Sequence, residues 1–206
     1  MEEPKNKGQI GRPKKRKSDI LIENGQEIKR LDFFRRFLAA VGKDRDSVAE
    51  AAGVTTVMVS HWWKTDDARL DQLMTVAEKF GYRLDVYLTH GNTIPTKPVE
   101  LDARDFDGSG ERYTLKRMAF LSFALREDGM TKSALAAKLG ISVYSVNAWY
   151  KADNITIGRI YDIAKACDYN IFFTMASLTK QRPVPQGSIR VSYRLTINGD
   201  AECRTS

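Results

Sequence analysis

The chain has little of what covalent or metal-based stabilisation needs. Only two cysteines occur in 206 residues, Cys167 and Cys203, with no CxxC and no Cys/His cluster. Neither a disulfide scaffold nor a zinc site is therefore expected, and a reduced, cytoplasmic protein is the simplest reading. No apolar run approaches the roughly 18 residues that span a bilayer, and the charged N-terminus lacks the following apolar core of a signal peptide. A soluble, non-secreted chain is expected. Nor does the sequence carry a nucleophile–base set, a phosphate-cradling glycine loop or metal-ligand spacing, so an enzyme is the least expected class and no cofactor is anticipated.

What is present is enough apolar and aromatic content to fold one medium domain or two small ones, and a formal net charge of +7. Part of that charge is concentrated in "GRPKKRK", where Arg12, Lys14, Lys15, Arg16 and Lys17 crowd behind Gly11. Such a run suits a polyanion, nucleic acid first, although basic tails are often simply solvated and an anionic membrane would attract one too.

The strongest internal signal is self-similarity. Lys29 to Leu88 align without a gap on Lys116 to Met175, an offset of 116 − 29 = 87, with about 13 identities. The matches include Phe33 with Phe120, Gly53 with Gly140, Val59 with Val146, Trp62 with Trp149 and Tyr82 with Tyr169. Within each copy the apolar period is helical: Leu31, Phe34, Leu38 and Val41 form one stripe, and Met118, Leu121 and Leu125 its counterpart. Asp44 and Thr131 stand where a short polar side chain caps a second helix, and Gly53 and Gly140 end it cheaply in a left-handed turn. Thr55 and Ser142 are cap candidates for a third helix reaching Lys64 and Lys151. A fourth follows from about Arg69 to Phe80, with its counterpart near Ile157 to Ala164.

Each copy then changes period: "YRLDVYL" and "YNIFFTM" read as strands, as does "SIRVSYRLTI" near the C-terminus. The fold class expected is mainly α with minor β, two small helical domains each followed by a strand, plus a C-terminal strand. The boundaries expected are 1–27 for a flexible basic arm, 28–90 and 113–178 for the domains, 91–112 for a connector and 179–206 for a tail. The acidic residues of the connector read as a solvated face. The strands should pair, within the chain or across a homodimer, since an open edge serves either.

The glycine-centred corners "VAEAAGVTTVMVSHW" and "LAAKLGISVYSVNAW" resemble the helix-turn-helix of the phage repressor and Cro family. Small residues sit at the helix crossing (Ala49, Ala136), and apolar anchors follow the turn: Val54, Val59 and Trp62, then Ile141, Val146 and Trp149. These anchors are read as core. The resemblance implies that the N-terminal part of the third helix enters the major groove of double-stranded DNA, which points to Thr55, Thr56, Val57, Ser60, His61 and Lys64. In the second copy the same positions hold Ser142, Val143, Tyr144, Asn147, Ala148 and Lys151. Asn147 suits bidentate contact with adenine, His61 a guanine acceptor or a phosphate, and small apolar groups the thymine methyl. Lys64, Lys151, Arg45 and Lys132 suit phosphate.

Gly11-Arg12-Pro13 with its lysines resembles an AT-hook but departs from the pattern, since Ile10 stands where an arginine precedes the glycine; minor-groove insertion and a nonspecific tether both remain open. The expected role is a transcriptional regulator, most simply a repressor, in a bacterial or phage-infected cytoplasm, reading a bipartite and non-palindromic site. The alternatives are an antitoxin, a mobile-element architecture or packaging factor, or a protein-interaction adaptor on the same corners.

Overall fold

A computed structural model describes residues 21–23, 26–94, 103–107, 114–178 and 192–195. Eight α-helices dominate among them, with short antiparallel strands. The helices form two runs of four: α1 (Asp32–Ala40), α2 (Arg45–Ala52), α3 (Thr56–Thr65) and α4 (Leu70–Lys79), then α5 (Ala119–Glu127), α6 (Lys132–Leu139), α7 (Val143–Ala152) and α8 (Ile157–Cys167). Among the described residues no helix is long and apolar enough to cross a membrane.

Local chemistry sets the boundaries. Asp44 accepts from the Ser47 backbone N–H at 2.9 Å at the start of α2, and the Ser47 hydroxyl and amide hold its carboxyl below the usual carboxylate range. Thr131, Thr55 and Ser142 cap α6, α3 and α7 in the same way. Gly53 and Gly140 end α2 and α6 at φ 65° and 62°, a region that glycine enters without strain. α1 and α5 lack caps of their own. Asp66 instead accepts from the Arg30 and Leu31 amides, and Asp153 from those of Arg117 and Met118, so that the end of each third helix satisfies the orphan donors of the first.

The two runs meet in one core and one sheet. β3 (Tyr82–Thr89) pairs antiparallel with β6 (Asn170–Ser177) over all eight residues, with Val86 opposite Phe173. β7 (Ser192–Leu195) adds to the far side of β6, giving the order β3-β6-β7. Phe33 on α1 stacks on Phe173 with ring centroids 3.8 Å apart. A second junction joins the starts of α4 and α8: Arg69 bridges Thr156, Leu70 N–H donates to Ile155 C=O at 2.8 Å, and Ile157 N–H donates to Ala68 C=O at 2.9 Å. Beside it, Asp67 accepts from Gly158 N–H and Asn154 from Asp71 N–H. The β3–β6 pairing is therefore made inside one chain.

Three expectations need correction. A flexible arm to residue 27 is the expectation, but β1 (Leu21–Glu23) and β2 (Gln26–Ile28) pair antiparallel, with Leu21 opposite Ile28. The connector is structured in part, with a 3-10 turn (Ala103–Asp105) leading into β4 (Phe106–Asp107), which pairs with β5 (Thr114–Leu115). Within it Asp105 is no solvated acid: it is buried and accepts from both terminal nitrogens of Arg126, at 3.1 and 2.7 Å, because a carboxylate withdrawn from water needs a charged donor. Finally, Val54, Ile141 and Trp149 lie half-buried against the core while Trp62 is buried within it; an indole is too large for a small helical unit to cover completely in every setting.

His90, just beyond β3, offers one measurable consequence. Its Nε2 lies 3.1 Å from the Asp128 carboxylate and its Nδ1 3.0 Å from the Asp168 carbonyl, so only the imidazolium can donate to both. The bond to Asp128 raises its pKa above 6.5, with Asp168 adding to the effect and partial burial opposing it. Because the folded value is the higher one, the contribution is complete below the unfolded pKa and is lost as pH rises through the folded pKa. The side chain is half exposed, which keeps the stability effect small. In an NMR titration His90 should have a midpoint above 6.5; one at or below it contradicts the arrangement.

Candidate nucleic-acid interface

Packing decides which face of each third helix remains free. Val59 and Trp62 turn α3 into the core, as Val146 does for α7. Opposite them, Thr55, Thr56, Val57, His61 and Lys64 are exposed and Ser60 is half-buried; Ser142, Val143, Tyr144, Asn147, Ala148 and Lys151 are all exposed. The first turns of the two helices leave large apolar groups in water, Val57 at 75% and Tyr144 at 82% relative exposure. Exposure of that size does nothing for the fold and suits a partner surface. Met58, 45% exposed beside Val57, belongs to this patch too and is not among the residues that the sequence singles out.

The polar groups differ in how free they are. The Ser60 hydroxyl donates to the Thr56 carbonyl at 2.8 Å and accepts from Arg45 Nη1 at 2.9 Å, so its donor and one acceptor position are taken. Asn147, 87 residues on, makes no side-chain hydrogen bond among the described residues, leaving both its amide donor and its carbonyl acceptor to water. Thr55 and Ser142 accept from Met58 N–H and Ser145 N–H as caps. Their hydroxyl oxygens are thereby engaged in holding the helix start.

The cations are arranged around these turns. Arg45, at the start of α2, is tied to α3 through Ser60. Lys132, at the start of α6, places Nζ 3.8 Å from the ring centre of Tyr150 on α7. Burial pushes the Tyr150 hydroxyl up to about 12, so that ring stays neutral beneath the ammonium. Trp63 packs on Phe34 and carries the Arg35 guanidinium 5.1 Å above its ring. The aromatic residues that follow the two tryptophans thus face neighbouring helices. Lys64 and Lys151 occupy the last turns of α3 and α7, where the helix dipole favours cations.

The arm residues Arg12, Lys14, Lys15, Arg16 and Lys17 lie outside the described residues. Comparison with curated proteins and with solved structures returned no match. Residues 121–171, from within α5 to the start of β6, match the family model of the Cro/C1-type HTH DNA-binding domain, which supports DNA binding by this part of the chain.

Proposed function

We propose that the chain is a sequence-specific double-stranded DNA-binding protein acting without catalysis as a transcriptional regulator, most simply a repressor that occludes a promoter. It reads a bipartite site through α3 and α7. The observation that carries this reading is the outward face of α7, with Tyr144, Asn147 and Lys151 free of the core inside a segment that matches a DNA-binding domain. The run Lys29 to Leu88 supports a second copy of the same domain, because its four helices start at the same spacing and its second and third helices carry the same kind of side-chain N-cap and left-handed C-cap as α6 and α7. Selection from a random duplex pool should enrich one motif, and placing that motif across a promoter should silence a reporter when the protein is present. A pool that stays random sinks the reading.

The basic arm fits a backbone contact laid beside the two heads. Deleting residues 1 to 17 is expected to weaken binding to all duplexes and to flatten the dependence of log K on log salt, since each phosphate contact contributes about 0.9 to that slope. An unchanged slope in a fluorescence-anisotropy salt series rules the arm out of the interface.

A further inference from the structure

The register of the junctions carries more than their existence. In β3 and β6 one of the two middle pairs is Val86 with Phe173, and between the helix starts the bridge is Arg69 with Thr156. In both cases the partners are 87 residues apart, 173 − 86 and 156 − 69, which is also the spacing between α1 and α5 (119 − 32) and between α3 and α7 (143 − 56). The flanking bonds are reciprocal under the same shift. Leu70 N–H to Ile155 C=O becomes Ile157 N–H to Ala68 C=O, and Gly158 N–H to Asp67 becomes Asp71 N–H to Asn154. Two segments that meet antiparallel with equivalent positions face to face are related by a two-fold axis through the meeting point. A translation, the operation that relates heads on a direct repeat, places non-equivalent positions opposite one another.

Resting on the DNA-binding reading above, we infer that this single chain is a covalent pseudo-dimer whose α3 and α7 read two inverted but unlike half-sites on one duplex. The sugar-phosphate backbone of DNA has two-fold axes of its own, so heads related by a two-fold meet it in matching orientations only on inverted half-sites, spaced about one helical turn, ~34 Å, apart. The half-sites are unlike because the equivalent reading positions differ chemically: Val57 against Tyr144, Ser60 with its hydroxyl engaged against Asn147 with a free amide, and His61 against Ala148. The α7 half-site carries the adenine preference, since a free carboxamide matches the adenine edge bidentately. Joining the heads in one chain lets them bind without the concentration dependence of a homodimer.

The test combines sequence selection on the full chain with native mass spectrometry of the selected complex. One chain per duplex on an imperfect inverted repeat is the expected result. The triple variant Val57→Tyr, Ser60→Asn, His61→Ala, which gives α3 three of the reading groups of α7 at positions outside the core, should then select a more nearly perfect palindrome. A direct repeat, two chains on one site, or a triple variant that leaves the motif unchanged overturns the pseudo-dimer while leaving DNA binding intact. A pool without enrichment overturns the DNA-binding reading itself and this inference with it.

Discussion

Phe173→Ala is expected to lower the unfolding free energy by about 3–5 kcal/mol, the range for truncating a buried aromatic where the surroundings close only in part. Phe173 is 1% exposed, stacks on Phe33 of the first helical run, and lies 6.3 Å from the Tyr161 ring of the second, so its loss opens a cavity lined by both. For a chain of this size the change corresponds to a fall in melting temperature on the order of 10 °C. Because the cavity lies at the joint, both halves should weaken together. Trp62 and Trp63 report on the first half and Trp149 on the second, so thermal unfolding followed in single-tryptophan variants should move by the same amount. If the first-half signal stays at its wild-type midpoint while Trp149 melts early, the halves are independent and the shared core described above does not couple them.

How far this architecture could be read from sequence depended on the range of the interaction concerned. Helix starts at Asp44, Thr55, Thr131 and Ser142 and stops at Gly53 and Gly140 were legible because each is a contact between residues about three apart, with a chemistry that few side chains provide. The strands after α4 and α8 were legible as a change of period. Long-range partners were not. Asp105 reads as one more connector acid until Arg126 is placed beside it, and Asp66 and Asp153 give no sequence sign that their carboxylates cap helices more than 30 residues away. The pairing of β1 with β2 had a local sequence signal in the intervening Asn-Gly dipeptide, obscured by the polar composition around it. At the site, exposure of the third-helix face follows from helical period alone, whereas the engagement of Ser60 by Arg45 depends on how α2 crosses α3. The 87-residue offset was visible too, but the relation it encodes needed the register of β3 against β6.

That difference between Ser60 and Asn147 leads to the other large effect. Asn147→Ala is expected to lower affinity for the selected duplex by roughly 10- to 100-fold, about 1–3 kcal/mol, the value of one bidentate side chain to base contact. It should leave affinity for a scrambled duplex unchanged, because the carboxamide is neutral and contributes nothing to counterion release. Folding is not at risk, since position 147 is exposed and alanine is the better helix former. Ser60→Ala should cost far less, its hydroxyl being already satisfied by Thr56 and Arg45. Lys151→Ala should instead weaken both duplexes alike and reduce the salt slope by about one. Fluorescence anisotropy on the two duplexes at two salt concentrations separates these outcomes. An Asn147→Ala loss that is equal on selected and scrambled DNA removes base reading from α7, and a loss at Ser60 larger than at Asn147 reverses the assignment of the stronger reading head.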